Sequence, residues 1–183
     1  MFAQTGNNLF ETAVMNHVFI VNYESLKKYF VASINKPEDA PLRLNHIKFK
    51  QTINLFKMVI IDESHRCKEI KTAQSKYVKG ICHDKEWILA LTGTPVVNKP
   101  KDLISQLAII DRLNDFGGYQ GFTKQYCDDT YGNGSNLKEL NYLLSKNCFY
   151  RRDKSDVLKD LPAKMRQVVL CEKKKKKEYA DAL

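Results

Sequence analysis

Apolar residues in this chain fall into short blocks of two kinds. Three blocks run unbroken: residues 18–22 (VFIVN), 57–62 (KMVIID) and 87–93 (WILALTG). Continuous β-branched and aliphatic runs of this length predict interior strands. Other blocks repeat at helical spacing. Leu26, Tyr29, Phe30 and Ser33 do so within residues 23–34, and residues 69–82 and 101–113 carry apolar faces of the same period. Shorter helices are predicted at 122–127 and 136–146. Residues 1–16 are only weakly periodic. The stretch 35–54, with Pro37 and Pro41, reads as an excursion with little regular structure. Gly117, Gly118 and Gly121 mark a turn, and a second glycine loop spans Gly132 and Gly134. Beyond it, 148–152 reads as a short strand, 154–160 as a helical turn ending before Pro162, and 165–170 as a strand. There is no internal repeat.

All-apolar strands alternating with helices predict an α/β fold, a parallel sheet covered on both faces. Ligands in such sheets sit at the carboxyl ends of the strands. Asp62 and Glu63 fall at one such end, and Thr92, Gly93 and Thr94 at another. Adjacent carboxylates at a strand mouth are costly unless something pairs with them or uses them. Nucleotide hydrolysis is one use, since it needs a magnesium ion on the phosphates and a group to position the attacking water. A strand-end Asp suits Mg²⁺, which takes one or two carboxylates plus waters. Glu63, on the opposite side of the backbone, would face the water. His65 would hydrogen-bond the polar Thr92–Gly93–Thr94 loop. The plainer alternative is that Asp62 and Glu63 cap the helix that follows.

Composition narrows the class. The 183 residues are 43% hydrophobic and 28% charged, as in a soluble globular domain. No apolar run approaches a membrane span, and the N-terminus lacks a signal pattern. Five cysteines without a CxxC or a Cys/His cluster predict reduced thiols and no zinc site. The formal net charge is +9, and residues 151–183 hold eleven Lys/Arg against six Asp/Glu, a balance that favours polyanionic partners. The run from Lys173 to Lys177 also reads as a solvated face or tail.

Four stretches in order carry a resemblance. VIIDESHRCK and LALTGTPVVNKPKDL resemble the Walker B (DEAH-like) box and the third motif of superfamily-two helicases, more narrowly the Swi/Snf-type DNA-dependent ATPases. FIVNYESL resembles the DNA-proximal segment ahead of motif II in that family. FYRRDKSDVLKDLPAKMRQVV is similar to the signature that bridges the first motor lobe to the second. The Tyr-Glu-Ser, Asp-Glu-Ser-His and Arg-Arg-x-Lys-Ser-Asp-Val-Leu forms resemble most the annealing-helicase-like branch.

The resemblance implies a RecA-like P-loop NTPase lobe with a mostly helical extension. It implies that Asp62 binds Mg²⁺ through water and that Glu63 activates the hydrolytic water. His65, Thr92 and Thr94 would couple nucleotide state to DNA contact, and Thr92, Gly93 and Thr94 would join Asp62 in binding the nucleotide cofactor. Asn22, Tyr23 and Ser25 would lie at the DNA backbone, with Arg151 and Arg152 in the bridging segment. Ser64 stands where many relatives have Ala or Gly. The implied cofactors are ATP and Mg²⁺, and the implied partners are double-stranded or branched DNA and the remaining lobe or lobes of the ATPase. Residence would be nuclear in a eukaryote and cytoplasmic in a prokaryote or virus-infected cell.

One expected element is missing. The phosphate-cradling loop G-x-x-x-x-G-K-[ST] occurs nowhere among the eight glycines. The expectation is therefore a partial lobe over residues 1–112, a helical extension and bridge over 113–170, and a basic lead into a second lobe over 171–183. Such a chain would need complementation to bind ATP, and its motif II strand would have an unpaired apolar edge.

Overall fold

The computed structural model describes residues 18–96, 98–127, 134–152 and 154–157, together with Met165 and Gln167. The chain divides into two compact units after Phe149. Within the second unit, the backbone of Lys154–Val157 is helical, and the strand expected at 165–170 lies outside the described residues except for Met165 and Gln167. So do the 132–133 part of the glycine loop and all of 171–183.

In the first unit, the order is α1 (Leu26–Phe30), β1 (Val31–Ile34), β2 (Ile47–Phe49), β3 (Met58–Ile61), α2 (Ala73–Cys82), β4 (Trp87–Ala90), α3 (Asp102–Ile109), α4 (Gly118–Tyr126) and α5 (Leu137–Asn147). β3 and β4 pair in parallel, Met58 opposite Trp87 through Ile61 opposite Ala90. α2 is the crossover between them, and the Thr72 hydroxyl caps it by accepting the Ser75 amide at 3.2 Å. This is the strand–helix–strand unit that the pattern predicts.

Five expectations are corrected. Residues 18–22 form no strand: Val18 and Ile20 are exposed, and among the described residues no neighbour offers that backbone a ladder. Phe19 instead meets Phe56 edge-on at 5.2 Å. The helix begun at Leu26 stops at Phe30, because Val31 turns extended and opens β1. Its antiparallel partner β2 lies inside the supposedly irregular excursion. Residues 148–152 are not a strand. Gly121 sits inside α4 rather than in a turn. The turn itself is made by Gly117 and Gly118, whose φ values of 79° and 68° are the left-handed values glycine tolerates.

Two cores hold this unit together. The first joins α1, β1, β2, β3 and α2 around Phe30, Ile47, Ile61, Val78 and Ile81. The second joins α3, α4 and α5 around Leu103, Ile104, Leu107, Phe122, Tyr126 and Leu140. α3 serves both, since its Ile109 packs in the first. Among the described residues only one face of the β3–β4 pair is covered. Val59, Ile61 and Ile88 face the core, while Met58, Ile60, Trp87 and Leu89 are 44–62% exposed. No described element lies over the second face, so the described residues show only one of the two covered faces expected. Among the described residues no helix is long and apolar enough to cross a membrane.

Candidate nucleotide site at the strand ends

Parallel pairing brings the loops after β3 and β4 to the same edge. The ladder continues past the strands: Leu91 N–H donates to the Ile61 carbonyl at 2.8 Å and Ser64 N–H to the Leu91 carbonyl at 2.9 Å. Between these bonds the chain turns sharply. Glu63 has φ 50° and ψ 50°, left-handed values that are strained for a residue with a side chain. The turn starts a short 3-10 helix, Ser64–Cys67. Asp62 accepts the Glu63 amide on Oδ1 at 3.0 Å. Its carboxylate thus braces the turn, but no side chain caps the short helix that follows, so the capping alternative is not what the structure shows.

His65 is the joint between the two loops. Its Nδ1 lies 3.1 Å from Glu63 Oε2 and 3.1 Å from Thr92 Oγ1. Thr92 Oγ1 in turn accepts the Thr94 amide at 3.1 Å. Hydrogen bonds thus join His65, Thr92 and Thr94 across the strand ends, and the Glu63 carboxylate closes on the same His65 nitrogen as an ion-pair partner. Glu63 therefore turns towards His65, rather than simply standing opposite Asp62. At Gly93 a Cβ would meet no atom within 4 Å, so the fold does not require glycine there. What glycine leaves is open room above the loop, which suits close approach of a phosphate. The exposed Asp62 carboxylate and this bare backbone fit a hydrated Mg²⁺ bound to a nucleotide.

Residues 22–25 lie against the same loop. The Tyr23 hydroxyl donates to the Asp62 carbonyl at 2.7 Å, and the Arg66 guanidinium stacks over the Tyr23 ring at 4.8 Å. Arg66 also pairs with Glu24 at 2.6 Å. A backbone hydrogen bond, then Arg66, lowers the Glu24 pKa, and burial raises that of the Tyr23 phenol. Asn22 caps the 3-10 turn Tyr23–Ser25 by accepting the Ser25 amide on its carbonyl. Arg151 and Arg152 belong to the second unit, where both are exposed and Arg152 donates to the Tyr150 hydroxyl at 2.8 Å.

Sequence reasoning did not single out Gln106. It is buried in α3, accepts the Ser64 hydroxyl at 2.9 Å, and donates to the carbonyls of Pro95 (2.7 Å) and Asp102 (3.1 Å). A signal was present. Leu103, Gln106, Leu107 and Ile110 share one helical stripe, and a glutamine at a core position demands a buried partner.

Comparison with known proteins decides the class. The SNF2-related domain matches residues 4–180. The chain belongs to that family. It is thus of the Swi/Snf-type, helicase-related class that the four motifs resemble, and the family carries a RecA-like α/β fold. The chain is 38% identical over 128 residues to the SWI/SNF-related matrix-associated actin-dependent regulator of chromatin subfamily A-like protein 1 of Xenopus laevis, covering 66% of this chain and 13% of that protein. The Caenorhabditis elegans homolog is 34% identical over 121 residues, covering 62% and 17%. The human DNA annealing helicase and endonuclease ZRANB3 is 36% identical over 124 residues, covering 61% and 11%. The chain thus spans less than a fifth of each of these relatives. No solved structure matches it.

Proposed function

We propose that this chain supplies the acidic half of a Mg²⁺–ATP site in a DNA-dependent translocase of the annealing-helicase-like branch. The observation that carries this reading is the meeting of Glu63, His65, Thr92 and Thr94 at two parallel strand ends, with His65 Nδ1 within 3.1 Å of both Glu63 Oε2 and Thr92 Oγ1. Bound Mg²⁺ would draw charge from the phosphate oxygens. Asp62 holds that ion through water, and Glu63 orients and deprotonates the attacking water. His65 ties the position of Glu63 to the Thr92–Thr94 loop. The Asp62 carbonyl and Arg66 join the same loop to residues 22–25, where Asn22, Tyr23 and Ser25 meet the DNA backbone. Arg151 and Arg152 serve the bridge to a second lobe.

On this reading residues 1–112 are part of a first motor lobe, 113–170 its extension and bridge, and 171–183 the approach to the next lobe. The sequence has no phosphate cradle, and among the described residues β3 has one unpaired edge. Both features support a lobe completed by further polypeptide. Animal relatives support nuclear residence. The net charge of +9 and the missing cradle also favour a second reading, a non-catalytic DNA-binding or interaction module.

The test is ATP turnover with and without double-stranded DNA, by the chain alone and with a supplied P-loop segment and second lobe. Turnover is expected only after complementation. Glu63→Gln should then lower it by about a hundredfold or more, leaving DNA affinity within about twofold. DNA-stimulated hydrolysis by the chain alone would refute the missing-cradle account. Salt-sensitive DNA binding with no turnover in any mixture would favour the second reading.

A further inference from the structure

The Ser64–Gln106 contact goes beyond the roles given above. Both side chains are buried, 2% and 7% exposed, and the described elements around them are largely apolar. A glutamine amide offers one acceptor and two donor hydrogens, and here the acceptor takes the Ser64 hydroxyl while the nitrogen serves two carbonyls. One of those carbonyls is intrahelical, that of Asp102, and fixes the side chain to α3. The other belongs to Pro95, directly after Thr94. A single side chain therefore holds the loop after β3 and the loop after β4 at once. It does so from beneath, while His65 links them on the more exposed side. Shielded from water, such bonds are stiff, and losing one partner leaves the other unsatisfied.

We infer that Gln106 is a positioning residue that keeps Glu63 and His65 in register with Thr92 and Thr94 and passes any shift of these loops into α3. The same helix places Leu103, Ile104 and Leu107 in the second core. Displacement of Gln106 is thus felt by α4 and α5, which touch neither loop through the relay. The consequence for catalysis rests on the function proposed above; the mechanical link does not.

The test begins with native-state hydrogen exchange on the 183-residue chain, comparing wild type, Ser64→Ala, Gln106→Leu and the pair. The reporting amides are Ser64 and Leu91, at the base of the two loops, with Val78 to Cys82 of α2 as internal control. Each single change should speed exchange at the reporters about tenfold and leave the control within about twofold. The pair should fall well short of the product of the two effects, because both remove one shared contact. Unchanged reporters, equal acceleration of α2, or full additivity would overturn the inference. If Gln106→Leu does not fold, Ser64→Ala alone is judged by reporter against control. In the complemented ATPase both single changes should lower kcat about tenfold with KM for ATP unmoved. An unchanged kcat would overturn the catalytic consequence. A mixture with no turnover at all would instead count against the proposed function, and exchange would still decide the link.

Discussion

Cys82 is 2% exposed at the end of α2, and burial pushes its thiol up to about 12. Cys67 and Tyr23 are raised as well, each chiefly by burial. The folded chain therefore holds protons that the unfolded chain releases near the ordinary thiol value. Stability from this source is full below about pH 8.5 and is lost as pH climbs towards the folded value. Lys76 and Lys85, lowered by burial, act in the opposite sense. Wild type must therefore be read against Cys82→Ala. The stability difference between them should shrink by up to about 1.4 kcal/mol per pH unit above pH 9 in urea melts; a constant difference would contradict the raised thiol. At this scale the grouping of the candidate site residues was largely legible. Asp62, Glu63, His65 and the Thr92–Thr94 loop are contiguous strings whose chemistry is local. Gln106 was not, because its role depends on contacts with Ser64, 42 positions away, and Pro95.

Between elements, α2 and β2 meet at one tight point. A Cβ on Gly80 would come within 2.1 Å of the Phe49 ring. An exposed helical Gly→Ala normally gains about 1 kcal/mol. Here the gain is reversed, because the ring must leave its place against the first core, at about 1–3 kcal/mol. Gly80→Ala should lower unfolding free energy in urea melts, and Phe49→Leu on that background should recover part of the loss. A stabilising Gly80→Ala would show that the ring moves freely. The same contact explains why β2 was illegible. Residues 47–49 make only three paired positions, set by their packing against α2 rather than by alternation within a proline-bearing stretch. The parallel β3–β4 unit was legible because its strands are apolar throughout and its crossover helix is amphipathic. The run 18–22 misled for the same reason: apolar character predicts burial, and strand structure also needs a neighbour.

For the first unit as a whole, the sheet face that no described element covers is the feature to test in solution. Met58, Ile60, Trp87 and Leu89 form one apolar surface. Trp87 is the only tryptophan in the chain, so it reports on that surface alone. Acrylamide should quench it in the dilute folded chain at a rate within about twofold of the unfolded chain, with protection as protein concentration rises. Strong protection at high dilution would contradict the exposed face. Inward from that face lies α3, with Ile109 in one core and Leu103, Ile104 and Leu107 in the other. A helix shared in this way denies the unit an internal seam. Any cut that gives α3 to one side strips a wall from the other, so the two cores stand or fall as one piece.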